Sequence, residues 1–239
     1  IRWGNPPTGV YNTPVYLGRE RGRFGARVAV DVRDNRTGAD YTEALVAGEF
    51  DMGHMGTPPL FAALARTDAY VVVGQGLVRY PSFYVIAAPG LTEVRALRGA
   101  TVAINKRRTC PHSIVRTLLR RHGMGEDAVR LATLVDGWKI MEAIGEGRLA
   151  AACVWEPYAS YAERVFGWRV IADGRTVIQP SNYAFLLYAR RELLDAEPDV
   201  VAGLTREYAE AVRDAIADLA AAARTLHGKI PYVEPIDID

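Results

Sequence analysis

The 239-residue chain predicts an α/β protein built as two similar lobes. Three observations carry that expectation. Short apolar runs of strand type alternate with amphipathic helical stretches, the order that produces parallel sheets flanked by helices. Prolines recur where strand-like runs hand over to helices, at Thr13-Pro14, Thr57-Pro58, Cys110-Pro111 and Glu156-Pro157, and proline at the first helical position marks a helix start. Finally, "TEALVAGEFDMGHMGTP" (42–58) lies over "MEAIGEGRLAAACVWEP" (141–157) without a gap when shifted by 99 positions. Glu43/Glu142, Ala44/Ala143, Gly48/Gly147 and Pro58/Pro157 then coincide, while Leu45/Ile144, Phe50/Leu149 and Met55/Val154 stay apolar.

Taken in order, "RVAVDV" (27–32) reads as a strand, and "DYTEALVAG" (40–48) as an amphipathic helix ended by Gly48. "FDMGHM" (50–55) is a short strand and "TPPLFAALA" (57–65) a helix. "ATVAIN" (100–105), "VRLATLV" (129–135) and "LAAACVW" (149–155) are strands alternating with helices over 110–123, 138–147 and 157–167. Past Trp168 come "WRVIADG", the polar "RTVIQPSNY" and an apolar strand "AFLLYA". A helix over 190–195 and one long Ala-rich helix over 198–226 follow, and the tail "PYVEPIDID" offers no packing element.

Composition removes several classes of function. Lys+Arg 29 against Asp+Glu 28 leaves a net charge of +1, so no bulk electrostatic case exists for nucleic acid or an acidic membrane. No apolar stretch approaches the ~20 residues of a membrane span. The two cysteines, Cys110 and Cys153, form no CxxC and sit in no Cys/His cluster at ligand spacing, so neither a structural metal nor a disulfide scaffold is expected. No cofactor is expected either.

Ligands of open α/β sheets sit beyond the carboxyl ends of strands, where unpaired N–H groups of helix N-termini favour anions. Four junctions meet that description: Tyr11–Thr13, Gly56–Thr57, Arg107–His112 and Trp155–Glu156. Thr13 has a task as a cap, whereas Tyr11 and Asn12 have none locally. Gly56-Thr57 would let a ligand approach the backbone. Arg107, Arg108, Thr109 and His112 belong to the cationic "KRRTCPHS"; guanidinium pairs with planar oxyanions, or the stretch is a solvated loop. Asp136 and Trp138 open one helix, and Thr37 with Gly38 hold the matching place in the first half; Thr37 and Asp136 act as caps first. Trp155 is either a flat pocket wall or a core residue, and Glu156 either recognises a donor or caps its helix. His54 is expected to be packed and hydrogen-bonded.

Across roughly residues 9 to 190, "YLGRERGRFGARVAVDV", "EALVAGEFDMGHMGTPPLFAAL", "LRGATVAINK" and "EAIGEGRLAAACVWEPYASYAE" resemble solute-binding proteins of ABC importers for sulfonates, taurine and nitrate, together with their thiamine-pyrimidine-synthase-like relatives. "AGEFDMG" and "VWEP" are the most telling pieces. The resemblance implies a periplasmic-binding-protein-like (type 2) fold, two α/β lobes joined by two crossing strands with a ligand cleft between. Lobe one would comprise 1–80 and 180–239, lobe two 81–179, with crossings near Val78–Tyr84 and Arg175–Tyr183. It further implies capture of a small organic anion, a sulfonate, aromatic carboxylate or similar, by an extracytoplasmic monomer that serves an ABC transporter membrane permease. The chain begins at Ile1, so the signal segment that export requires is expected ahead of it. The alternative is an enzyme on the same fold (desulfinase, decarboxylase or pyrimidine-synthase-like) using Cys110 and His112. Two features depart from the family: "KRRTCPHS" stands where many relatives carry a small Gly/Ser-rich loop, and the C-terminal part is shorter.

Overall fold

The computed structural model describes residues 1–78, 82–177, 183–227 and 229. The chain starts in a first sheet with β1 (Arg2–Asn5), then runs through α1 (Thr13–Glu20), β2 (Asp31–Asp34), α2 (Gly38–Val46), β3 (Met52–Gly56), α3 (Thr57–Leu64) and β4 (Tyr70–Val78). It enters a second sheet with β5 (Tyr84–Ala87), followed by β6 (Thr101–Ile104), α4 (Cys110–Arg121), β7 (Arg130–Thr133), α5 (Gly137–Gly145), β8 (Ala151–Val154), α6 (Tyr158–Phe166), β9 (Arg169–Asp173) and the single turn α7 (Gly174–Val177). β10 (Tyr183–Arg190) returns to the first sheet, and α8 (Arg191–Ala196), α9 (Pro198–Ala217) and α10 (Leu219–His227) end the described chain. The midpoints of both crossings (79–81 and 178–182), and the tail from 230, lie outside the described residues; so do the expected lobe boundaries.

The described residues form two five-stranded sheets of matching order, β2-β1-β3-β10-β4 and β7-β6-β8-β5-β9. In each, three parallel strands are followed by one antiparallel strand, β10 or β5. The shift of 99 seen in the sequence reappears in the register. Arg2 pairs with Asp31 and Thr101 with Arg130; Trp3 pairs with Met52 and Val102 with Ala151. Helix caps follow it too. Thr37 Oγ1 accepts the amide of Asp40 at 3.0 Å, and Asp136 Oδ1 accepts that of Trp138 at 2.8 Å. Gly48 (φ +77°) and Gly147 (φ +67°) end α2 and α5 in the left-handed region that glycine enters without steric cost.

Three elements differ from the sequence-based expectation. β1 occupies a segment with no strand signal, because "RWGN" is short and becomes a strand only by lying between β2 and β3. β2 is displaced to Asp31–Asp34 because the four residues of β1 set its length. The long C-terminal helix breaks at Asp218 (φ −136°, ψ 73°). Its carboxylate accepts the amide of Ala221 at 3.0 Å, restarting the helix as α10, and pairs with Arg21, the C-cap of α1, at 2.5 Å. Pro157, expected at the first helical position, is instead the N-cap of α6.

Side chains alternate along β10 between the two faces of the first sheet. Leu186 and Tyr188 join Tyr41, Leu45, Phe50 and Leu60 on one side. Leu187 and Ala189 join Trp3, Val15, Phe24 and Tyr208 on the other, beneath α1 and α9. A third cluster fills the second lobe and reaches across to Tyr11 and Phe185 of the first. The carboxyl ends of both parallel sets are thereby brought face to face.

Candidate functional site

Loops from both lobes meet in two spaces. A chamber of about 610 Å³ lies between Pro7, Thr8 and Asp34–Arg36 on one side and Thr133–Lys139, Arg148, Trp155 and Tyr158 on the other, with Lys229 at its edge. A smaller space of about 20 Å³ is lined by Pro6, Tyr11, Gly38, Met55, Gly56, Phe83, Asn105, Thr109, Cys110 and Phe185, among others. That volume suits about one water molecule. Pro7 and Trp155 border both spaces.

The smaller space sits where α3 and α4 begin. Neither Gly56 nor Thr109, their N-caps, makes a side-chain cap bond; the Thr109 hydroxyl donates instead towards Asn105 Oδ1 (2.7 Å) or the Lys106 carbonyl (2.6 Å). First-turn amides are thus left without a cap from the preceding side chain, an arrangement suited to anions. The lobes approach closely: a methyl group at Gly56 would run into Cys110 Sγ. Tyr11 stacks on Phe185 at 4.6 Å, and burial pushes its phenol well above the ordinary range. Trp155 stands edge-on to Phe83 and to Tyr158. It is 3% exposed, and its Nε1–H has no hydrogen-bond partner among the described residues. Asn12 holds the Pro6 and Pro7 carbonyls (3.1 and 3.3 Å), fixing the loop after β1, while its own Oδ1 is buried without a partner among the described residues.

The residues expected at the site divide accordingly. Tyr11, Gly56, Thr109 and Trp155 line the smaller space; Asp136, Trp138 and Trp155 line the chamber. Asn12, Thr13, Thr37, Thr57, Arg107, Arg108, His112 and Glu156 line neither. Thr13 and Thr57 open their helices, and Thr37 caps α2. Glu156 accepts from the amide and hydroxyl of Ser160 (3.3 and 2.8 Å), which is the helix-capping alternative. Arg107 pairs with Glu126. His112 accepts the amide of Arg108 at 3.1 Å and meets Glu126 with its other nitrogen at 3.2 Å. Burial alone would raise the Glu126 carboxyl, but the bond from Arg107 and the nearness of His112 outweigh it and hold the group below its usual value. Residues that sequence reasoning missed are Pro7, Asp34, Asn35, Arg36, Lys139 and Arg148. The repeat held a signal for three of them, since Asp34–Arg36 directly precede Thr37 as Thr133–Val135 precede Asp136.

The Cys/His pairing needed for chemistry is not assembled. Both cysteines are buried free thiols, burial pushes Cys110 up to about 12, and His112 faces Glu126. Nucleophilic catalysis by a thiol needs a thiolate and a base within reach. Among the described residues no group of three or more His, Cys, Asp or Glu is placed to hold a metal ion.

Comparison with known proteins gives three kinds of likeness. The family model described as NMT1/THI5 like matches residues 10–222. An Escherichia coli (strain K12) protein described as aliphatic sulfonates-binding is 27% identical over 176 residues, which is 73% of this chain and 54% of the relative. The chain thus spans about half the length of that curated relative. Among solved structures, the alkanesulfonate-binding protein SsuA from Xanthomonas axonopodis pv. citri, bound to MOPS, superposes with a TM-score of 0.81 at 18% identity, covering 98% of this chain and 80% of the other. The periplasmic aliphatic sulphonate binding protein SsuA from Escherichia coli gives 0.79 at 21% identity, covering 95% and 77%. At such identities the superpositions establish the fold: periplasmic-binding-protein-like, two lobes about a cleft.

Proposed function

Since the chain belongs to the NMT1/THI5-like family, we propose that it captures a small organic anion, a sulfonate foremost, for an ABC importer. The observation that carries this reading is the convergence of loops from the carboxyl ends of both parallel strand sets on one cleft. A site shared between lobes is made complete only when they close, so ligand contacts shift the population toward the closed form. Lobe one would comprise 1–80 and 180–239 and lobe two 81–179, supported by the two sheets and by the two places where the chain passes between them. Of the sequence candidates, Tyr11, Gly56, Thr109, Asp136, Trp138 and Trp155 are the ones retained as lining the cleft. Capture takes place outside the cytoplasm, by a monomer that hands its solute to a membrane permease; the likeness to a periplasmic sulphonate-binding protein supports the location.

Calorimetry and thermal shift with ethanesulfonate, benzenesulfonate, benzoate, nitrate and a hydroxymethylpyrimidine test the reading. Binding of a sulfonate with compaction in small-angle scattering is expected. Tight binding of the pyrimidine alone, or conversion of any bound compound, would overturn it.

A further inference from the structure

The cleft offers two places for a ligand, and their chemistry differs. At the α3/α4 junction the space suits about one water molecule, and its walls are packed rings and the Gly56–Cys110 approach. Admitting a sulfonate there requires the lobes to part. The chamber beside it holds about 610 Å³ and is bounded by equivalent loops of the two lobes.

Its charges are not equivalent. Lys139 pairs with Glu142 at 2.8 Å, Arg148 pairs with Glu146, and Lys229 lies over the Tyr16 ring at 5.6 Å. Arg36 is exposed in the chamber and makes no hydrogen bond or ion pair among the described residues; its charge acts on the Asp40 carboxylate only through space. Asp34 is held by the Tyr16 hydroxyl at 2.7 Å and the Asn5 amide at 3.0 Å, and Asp136 caps α5; both carboxylates oppose a second anionic group. The buried, unpartnered Nε1–H of Trp155, on the wall shared with the junction, adds a donor.

We propose that the solute lies in this outer chamber with its anionic group on Arg36 and an apolar or aromatic body against Trp138 and Trp155. The class of ligand is therefore a monoanionic organic acid. This deepens the anion-capture reading and rests on it. A guanidinium that no carboxylate hydrogen-bonds keeps two parallel N–H donors for a sulfonate or carboxylate. The arginines favoured by the sequence offer less, since Arg107 is taken by Glu126 and neither Arg107 nor Arg108 lines the chamber or the smaller space.

Titration calorimetry of the full chain with ethanesulfonate and benzenesulfonate tests the placement. Arg36→Gln is expected to weaken both probes tenfold or more. The exposed Arg206→Gln on α9 is expected to leave them unchanged. Trp138→Leu should weaken benzenesulfonate more than ethanesulfonate, and 1,2-ethanedisulfonate should bind more weakly than ethanesulfonate. Retention of both affinities within twofold in Arg36→Gln would overturn the placement and leave the capture reading standing. So would loss of binding in Gly56→Ala with Arg36→Gln unaffected. Failure of the unaltered chain to bind either probe would overturn both together.

Discussion

His54 is the residue whose surroundings depart most from its expected role. The sequence suggested a packed, hydrogen-bonded histidine; the structure packs it among Trp3, Phe185 and Tyr208, with the Tyr11 backbone as its nearby polar group and neither ring nitrogen in a well-formed hydrogen bond among the described residues. Burial penalises the imidazolium and lowers its pKa from 6.5 to about 3. Between those values the unfolded chain binds a proton that the folded chain refuses. The contribution of neutral His54 is thus intact above about pH 6.5 and is lost as pH falls toward 3, by up to about 1.4 kcal/mol per pH unit. His54→Leu should be within ~1.5 kcal/mol of the parent at pH 7 and lose less stability on going to pH 5. Urea unfolding at the two pH values decides it; equal losses in parent and variant would rule the histidine out as the source.

Among the elements, α2 and α5 are the same device used twice. Each begins on a side-chain cap and ends on a left-handed glycine, and both signals were readable because they are local. No atom lies within 4 Å of a Cβ placed on Gly147, so Gly147→Ala isolates the backbone strain. The expected loss is about 1–2 kcal/mol, a fall in Tm of a few degrees by calorimetry. At Gly48 the new methyl would also meet the Arg190 guanidinium at 3.3 Å, which donates to the Gly48 and Phe50 carbonyls. Gly48→Ala should therefore cost more; equal costs would mean the arginine yields freely. The break at Asp218 shows the opposite case. Its helical periodicity is continuous, and the bend there is favoured by the cap that Asp218 gives Ala221 together with the position of Arg21 just past α1.

At the scale of the whole molecule, Lys106 of lobe two meets Asp40 at the start of α2 at 2.6 Å. Burial alone would raise the Asp40 carboxyl, but its bonds from Lys106 and Thr37 outweigh that and keep it low. Both side chains are more than two-fifths exposed, so the pair contributes only ~0.2–1 kcal/mol to closure. Asp40→Asn is expected to weaken ethanesulfonate binding by about fivefold at most, an effect that shrinks in high salt as the pair is screened. An equal loss at about 0.05 M and 0.5 M salt, conditions that differ strongly in screening, would point to a change in α2 instead of the lost attraction.

What the sequence determined by itself was the repeating unit: alternating strands and helices, caps, terminating glycines and the shift of 99 that the strand registers obey. These are interactions between residues a few positions apart, or copies of one such pattern, so they leave a periodic trace. The placement of charges in the cleft was decided only by tertiary structure. Arg107 and Arg108 were conspicuous as a cationic run, yet Glu126 stands beside Arg107 once β6, α4 and β7 pack together. Arg36 was one charge among many until loops 34–36 and 133–139, about a hundred positions apart, faced each other. Which arginine keeps its guanidinium for a ligand depends on which carboxylates packing brings within reach, and no local pattern encodes that.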